Sequence, residues 1–250
     1  MKISEIPVGE YLAFGQFLRS GERTPINLLW RKASEQNDFY VNDGIGKFCA
    51  DAQEPENESR DRRERGSNFF PQTNICQFLN ASENDWFKPQ HETDVADDIL
   101  KNRPGFLSLF EAWERKMITP HEIVTSVPVG FKRKYGEQVK TTLKVSMLSR
   151  SQLYGGEDLT EGEQLTLFAK GAATPVNLLF RTAVNTGLCA VDRRGRFNNH
   201  CPASECNIVP FLRLDGECFV EFSPLDGYYY VLPPEEVVKE ITDELHQLLK

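Results

Sequence analysis

Apolar and polar positions alternate with a period of two along several stretches, and each such stretch predicts a strand that buries one face. The first, Leu12-Ala13-Phe14-Gly15-Gln16-Phe17, follows a turn at Ile6-Pro7-Val8-Gly9. Two more cover 26–30 and 38–41, separated by the polar turn Ser34-Glu35-Gln36-Asn37. Another pair covers 123–129 and 142–148 across a turn at Arg133-Lys134-Tyr135-Gly136; in its second member Leu143, Val145 and Met147 alternate with Thr142, Lys144 and Ser146. Strands are also expected near 176–181, 188–192, 207–213, 217–222 and 228–232, so the last third is mostly β.

Helical spacing is rarer. Asn74 to Asn80 predicts a short helix capped by Thr73 or Asn74 and ended by Asn80 with Ser82. Leu107, Phe110, Met117 and Ile118 predict a helix from Phe106 that stops before Pro120, and a short acidic helix is expected over 161–168. The clearest pattern follows the sheet-stopping Pro233-Pro234 and covers 235–249. Its acidic start suits the helix dipole, and Val237, Val238, Ile241, Leu245, Leu248 and Leu249 form one apolar stripe. That stripe fits either packing on its own domain or self-association into a homo-oligomer through 235–249. Residues 51–66 and 84–105 read as long polar loops.

Thr24-Pro25-Ile26-Asn27-Leu28-Leu29-Trp30-Arg31 matches Thr174-Pro175-Val176-Asn177-Leu178-Leu179-Phe180-Arg181. Beyond it only Val41-Asn42 with Gly46-Lys47-Phe48, and Val191-Asp192 with Gly195-Arg196-Phe197, continue the likeness. Repeat architectures need about three stacked units, so the expectation is two related strands inside one core. The second copy opens a strand, loop, strand and turn into an irregular segment rich in Asn and Cys, a layout that displays a loop surface. Arg181 is expected to brace the strand beneath it.

A formal net charge of −8 lacks the basic footprint that nonspecific nucleic-acid binding requires. No window approaches the ~18 apolar residues of a membrane span, and Met1 to Pro7 lacks the apolar run of a signal peptide. The expectation is synthesis in the cytoplasm, compatible with later virion association by lysis. Six cysteines stand at 49, 76, 189, 201, 206 and 218 without any Cys-x2-Cys knuckle, so free thiols are expected, with zinc or a disulfide as alternatives. Glu54-Pro55-Glu56-Asn57 and the group His91, Glu92, Asp94, Asp97 and Asp98 fall short of a calcium or metal site. No nucleophile elbow or phosphate loop is present. No catalytic residue, metal or cofactor is assigned.

In order along the chain stand Ile6-Pro7-Val8-Gly9, Phe14-Gly15, Gln53-Glu54-Pro55-Glu56-Asn57, Asp61-Arg62-Arg63 and Asn74-Ile75-Cys76-Gln77-Phe78-Leu79-Asn80. They continue with Trp86-Phe87-Lys88-Pro89-Gln90-His91, Pro104-Gly105-Phe106-Leu107, Leu178-Leu179-Phe180-Arg181-Thr182-Ala183, Val191-Asp192-Arg193-Arg194-Gly195 and Asn207-Ile208-Val209-Pro210-Phe211-Leu212. From about residue 5 to 232 this series resembles an uncharacterised family of phage, prophage and gut-bacterial proteins. Leu179-Phe180 stands where that family has paired tryptophans, and Val209 where it has an arginine. The closing motif is similar to that of C-type-lectin-like proteins of the formylglycine-generating-enzyme type.

The resemblance implies an α+β, C-type-lectin-like fold: a mixed, mostly antiparallel sheet with a few short helices and long loops. One domain over 1–232 would be followed by the amphipathic helix at 233–250. It also implies a non-enzymatic recognition module, a phage or prophage virion-associated or receptor-binding protein, with a protein or carbohydrate surface as its ligand. The expected contact residues are Asn185, Arg193, Arg194, Arg196, Asn198, Asn199 and His200, with Tyr228, Tyr229 and Tyr230 as a rigid aromatic patch. The alternatives are an intracellular phage-encoded inhibitor, or a thiol-dependent enzyme using Cys201 or Cys206.

Overall fold

The structure is a computed structural model, and it describes residues 1–19, 22–45, 47–48, 70–87, 103–126, 138–155, 164–172, 178–181, 188–191, 197–198 and 206–248. The alternating stretches do form strands: β1 (Tyr11–Phe17), β2 (Ile26–Lys32), β3 (Asp38–Val41), β4 (Lys47–Phe48), β5 (Ile118–Thr119), β6 (His121–Ser126), β7 (Gln138–Leu143) and β8 (Val145–Met147) come first. They are followed by β9 (Leu178–Arg181), β10 (Leu188–Val191), β11 (Phe197–Asn198), β12 (Cys206–Ile208), β13 (Pro210–Leu214), β14 (Val220–Ser223) and β15 (Tyr228–Val231). The α-helices are α1 (Asn74–Asn80), α2 (Ala112–Met117), α3 (Arg150–Tyr154), α4 (Thr166–Ala169) and α5 (Glu235–Leu248).

The chain is mixed α and β. Among the described residues, β14, β15, β1, β2, β3, β13 and β5 lie side by side, with β8 also on β13, in an eight-stranded sheet. A second sheet runs β11-β10-β9-β12-β4, and β6 pairs with β7. Pairing is antiparallel except between β1 and β15 and between β9 and β12.

One face of the main sheet carries Leu12, Phe14, Leu28, Trp30, Phe39, Val41, Leu212 and Leu214 into the larger core, where Ile75, Phe78, Leu79, Trp86, Phe106 and Phe110 close over them. Burial of this kind contributes roughly 25 cal/mol per Å2 of apolar area, and the paired rings fix its packing. The opposite face carries a smaller core in which Tyr40 and Phe211 meet Leu148, Leu153, Leu165, Leu167 and Phe168 from α3, α4 and their flanks.

Several expectations are corrected. The helix expected from Phe106 splits into a 3-10 turn, Phe106–Leu109, and α2. Arg115 donates to the carbonyl of Phe110, and Glu114 accepts from the backbone N–H of Glu111, so the chain restarts there. The strand expected over 142–148 breaks at Lys144. Asn80 Oδ1 accepts from Lys144 N at 3.1 Å and Val145 N at 3.0 Å, while its Nδ2 donates to Val145 O at 2.8 Å. One side chain thus takes the place of a neighbouring strand.

The strand expected over 207–213 is two, broken at Val209, because β3 with β4 and β13 with β12 form one ribbon that leaves the main sheet for the second. The bend is at Gly44, at φ 70°, where a Cβ would overlap the Asn207 amide. β2 and β9, the two similar strands, lie in different sheets. Each nevertheless pairs with the strand that follows it, β3 and β10. The strand expected from 217 begins at Val220, so Cys218 sits in the preceding turn.

Candidate functional site

Among the described residues, α3 and α4 cover the Tyr40 and Phe211 half of the outer face. The register sets one row of side chains across it: Tyr228 on β15 beside Tyr11 on β1, then Arg31 on β2, Tyr40 on β3, Phe211 on β13 and Ser146 on β8. At the covered end everything is buried, with His121 Nε2 2.9 Å from Ser146 Oγ and its ring edge-on to Phe211. At the other end Tyr228, Tyr230, Tyr11, Leu29 and Arg31 are half-buried. Strand alternation alone places them there, since Leu12, Leu28 and Trp30 take the core side.

The three tyrosines of β15 do not form one patch. Tyr229 faces the larger core, 5.0 Å from Phe222 between ring centroids, whereas Tyr228 and Tyr230 stack on the outer face at 5.1 Å. The Tyr230 hydroxyl lies 3.0 Å from Asp226 Oδ2 and 3.1 Å from the Tyr228 hydroxyl. Its single proton is donated to one or the other of these two acceptors. Its pKa is raised, first by the hydrogen bond with Tyr228, then by burial and Asp226, so it stays a protonated donor.

Arg31 was not among the expected contacts. Its Nε donates to Gly9 O at 3.0 Å and its Cζ lies 5.5 Å over the Tyr11 ring. Tyr40 is fully buried, and its hydroxyl closes no hydrogen bond although it lies against Arg31. Burial raises the Tyr40 pKa and the Arg31 charge opposes the rise. The alternation of Tyr11 and Arg31 with core residues was the signal for these two; that no acid among the described residues answers Arg31 is visible only in three dimensions.

The apolar surface is concentrated. Among the described residues the exposed large hydrophobics are Met1, Phe219, Phe222, Leu225, Leu232, Val238, Ile241 and Leu245. Met1 hydrogen-bonds Val220 of the edge strand β14, and the others lie between 219 and 245, on the β14–β15 hairpin, its flanks and α5. Val238, Ile241 and Leu245 are 47%, 51% and 53% exposed, so these three side chains of the α5 stripe are not packed away on their own domain.

Asn185, Arg193, Arg194, Arg196, Asn199 and His200 lie outside the described residues, and Asn198 is placed by its backbone alone, on β11. Arg181 and Cys206 are likewise placed by backbone, on β9 and β12, and Cys201 lies outside. The Cys218 thiol is pushed up by burial, then by Asp215 and Glu217, which leaves it protonated and a poor nucleophile. Among the described residues no three His, Cys, Asp or Glu side chains gather to hold a metal, and no helix is long and apolar enough to cross a membrane. The chain matches no protein-family model, no curated protein and no solved structure.

Proposed function

We propose that the protein is a non-enzymatic recognition module of C-type-lectin-like design, a virion-associated or receptor-binding component of a phage or prophage. One observation carries the recognition reading: among the described residues the exposed large apolar side chains, Met1 apart, all fall between 219 and 245, the stretch of chain that also carries the Tyr228–Tyr230 pair. Isolated surface hydrophobics are ordinary, whereas several within one stretch of chain single that stretch out as one a partner covers. Tyrosine and arginine are the side chains that carry most contact energy at such surfaces, because they offer area and hydrogen bonds at little entropic cost. The loop residues Asn185, Arg193, Arg194, Arg196, Asn198, Asn199 and His200 belong to the same proposal as contacts from the second sheet. α5 would present several copies at once, raising a weak single-site affinity through multivalency.

The test is retention of the labelled full chain on an array of bacterial surface polysaccharides and proteins and on intact bacteria. Wild type is expected to bind at least one surface, and the double variant Tyr228→Ala with Tyr230→Ala to bind about tenfold more weakly at unchanged circular dichroism. Absence of binding everywhere, or a double variant that binds like wild type, overturns the reading.

A further inference from the structure

We propose that Arg31, flanked by Tyr11 and Tyr40, is a carboxylate-binding site, and that the ligand of the outer face carries an acidic group there. This rests on the recognition reading and deepens it by naming the chemistry recognised.

Two arginines on this face invite comparison. Arg213 on β13 pairs with the buried Asp38 on β3 at 2.8 Å. Arg31 on β2, equally part of the sheet, has no carboxylate within ion-pair distance among the described residues. A half-buried guanidinium has lost part of its hydration, and an unpaired one leaves that loss uncompensated. Its position is nevertheless fixed, by the Gly9 carbonyl on Nε and by the Tyr11 ring. With Nε engaged and the Tyr40 hydroxyl against one side, the guanidinium keeps terminal N–H groups, the donors that a carboxylate meets.

The buried Tyr40 hydroxyl is a second, independent observation. It lies against the same guanidinium, which can only donate to its oxygen, and its own proton reaches no acceptor. A carboxylate on Arg31 brings an acceptor to that donor. Beside them, Tyr11 and Tyr228 are neighbours in the row and supply aromatic faces on which the rest of the ligand rests. Glu221 shares the outer face with Tyr230, but on β14 it stands three strands from Arg31, about 14 Å away by strand spacing and beyond the roughly 8 Å Debye length of physiological salt. Its repulsion does not reach the site.

The experiment is a titration of the full chain with glucuronate, acetate and glucose, read at the Nε–Hε resonance of Arg31, with Arg31→Lys binding measured by calorimetry. Glucuronate is expected to move the Arg31 signal to saturation, and glucose, which has the ring without the acid, to leave it in place. Acetate separates the two sources of the carboxylate. A response weaker than that of glucuronate assigns the site to an acidic sugar, and an equal response to a carboxylate on any carrier; both support the inference. Arg31→Lys, which keeps the charge but loses the fork, is expected to bind glucuronate about tenfold more weakly. The inference is overturned by a glucose response equal to glucuronate, by no response to either acid, or by a lysine variant that binds as tightly as wild type. Surface binding by wild type with no response at Arg31 removes this inference and leaves the recognition module standing.

Discussion

Gly15 and Glu114 act together at one point of the main sheet. β1 slips its register against β2 between Ala13 and Gln16, and Gly15 makes the slip with φ 68°. A Cβ there would overlap the Phe110 ring, itself 2% exposed and held edge-on by Phe14 and tilted by Phe106. Neither the backbone nor the ring can yield, so Gly15→Ala is expected to cost about 3 kcal/mol in a urea titration. The N–H of Gly15 donates to Glu114 Oε1 at 3.0 Å, and that of Glu111 to Oε2 at 2.8 Å. Burial raises the Glu114 pKa from 4.5 and outweighs both hydrogen bonds, which favour the charged form. The folded state therefore holds this proton more tightly than the unfolded chain. The resulting stability is present below about pH 4.5 and is lost as the pH rises through the raised value. Glu114→Gln does not titrate, so wild-type stability relative to the variant is expected to fall across that window. A difference independent of pH would show that burial does not govern the carboxyl.

At the scale of elements, α5 is set apart because its stripe faces outward. Val238, Ile241, Leu245 and Leu248 follow spacings of three, four and three, which is the seam of a coiled coil. Val237 and Thr242 flank the seam, and a parallel pair sets one against the other without opposing like charges. Fourteen residues are too few to pair stably on their own, so Phe219, Phe222 and Leu232 near the hairpin are expected to share the contact. The expected outcome in light scattering is a dimer that Ile241→Glu with Leu245→Glu converts to monomer. The unfolding midpoint of the monomer should be almost unchanged, because these side chains are about half exposed before the change. A wild-type monomer, or a dimer indifferent to the two charges, would remove self-association through this helix.

Across the whole molecule, the two sheets are joined by the ribbon of β3–β4 with β12–β13, and among the described residues α3 and α4 cover one part of the outer face. Most strands, α1 with its Thr73 cap, and α5 were legible in the sequence, because a two- or 3.6-residue period records which side of an element meets the core. The outward positions of Tyr11, Arg31, Tyr228 and Tyr230 follow from that same alternation. Their meeting in one row does not, since it depends on a parallel pairing between β1 and β15, more than 200 residues apart. Breaks at Lys144, Val209 and Phe110 were equally hidden: each is made by a partner distant in sequence or by one side chain that satisfies several backbone groups. Local pattern determined which residues turn inward. Long-range register decided which outward residues become neighbours, and left Arg31 among tyrosines while Arg213 received an acid.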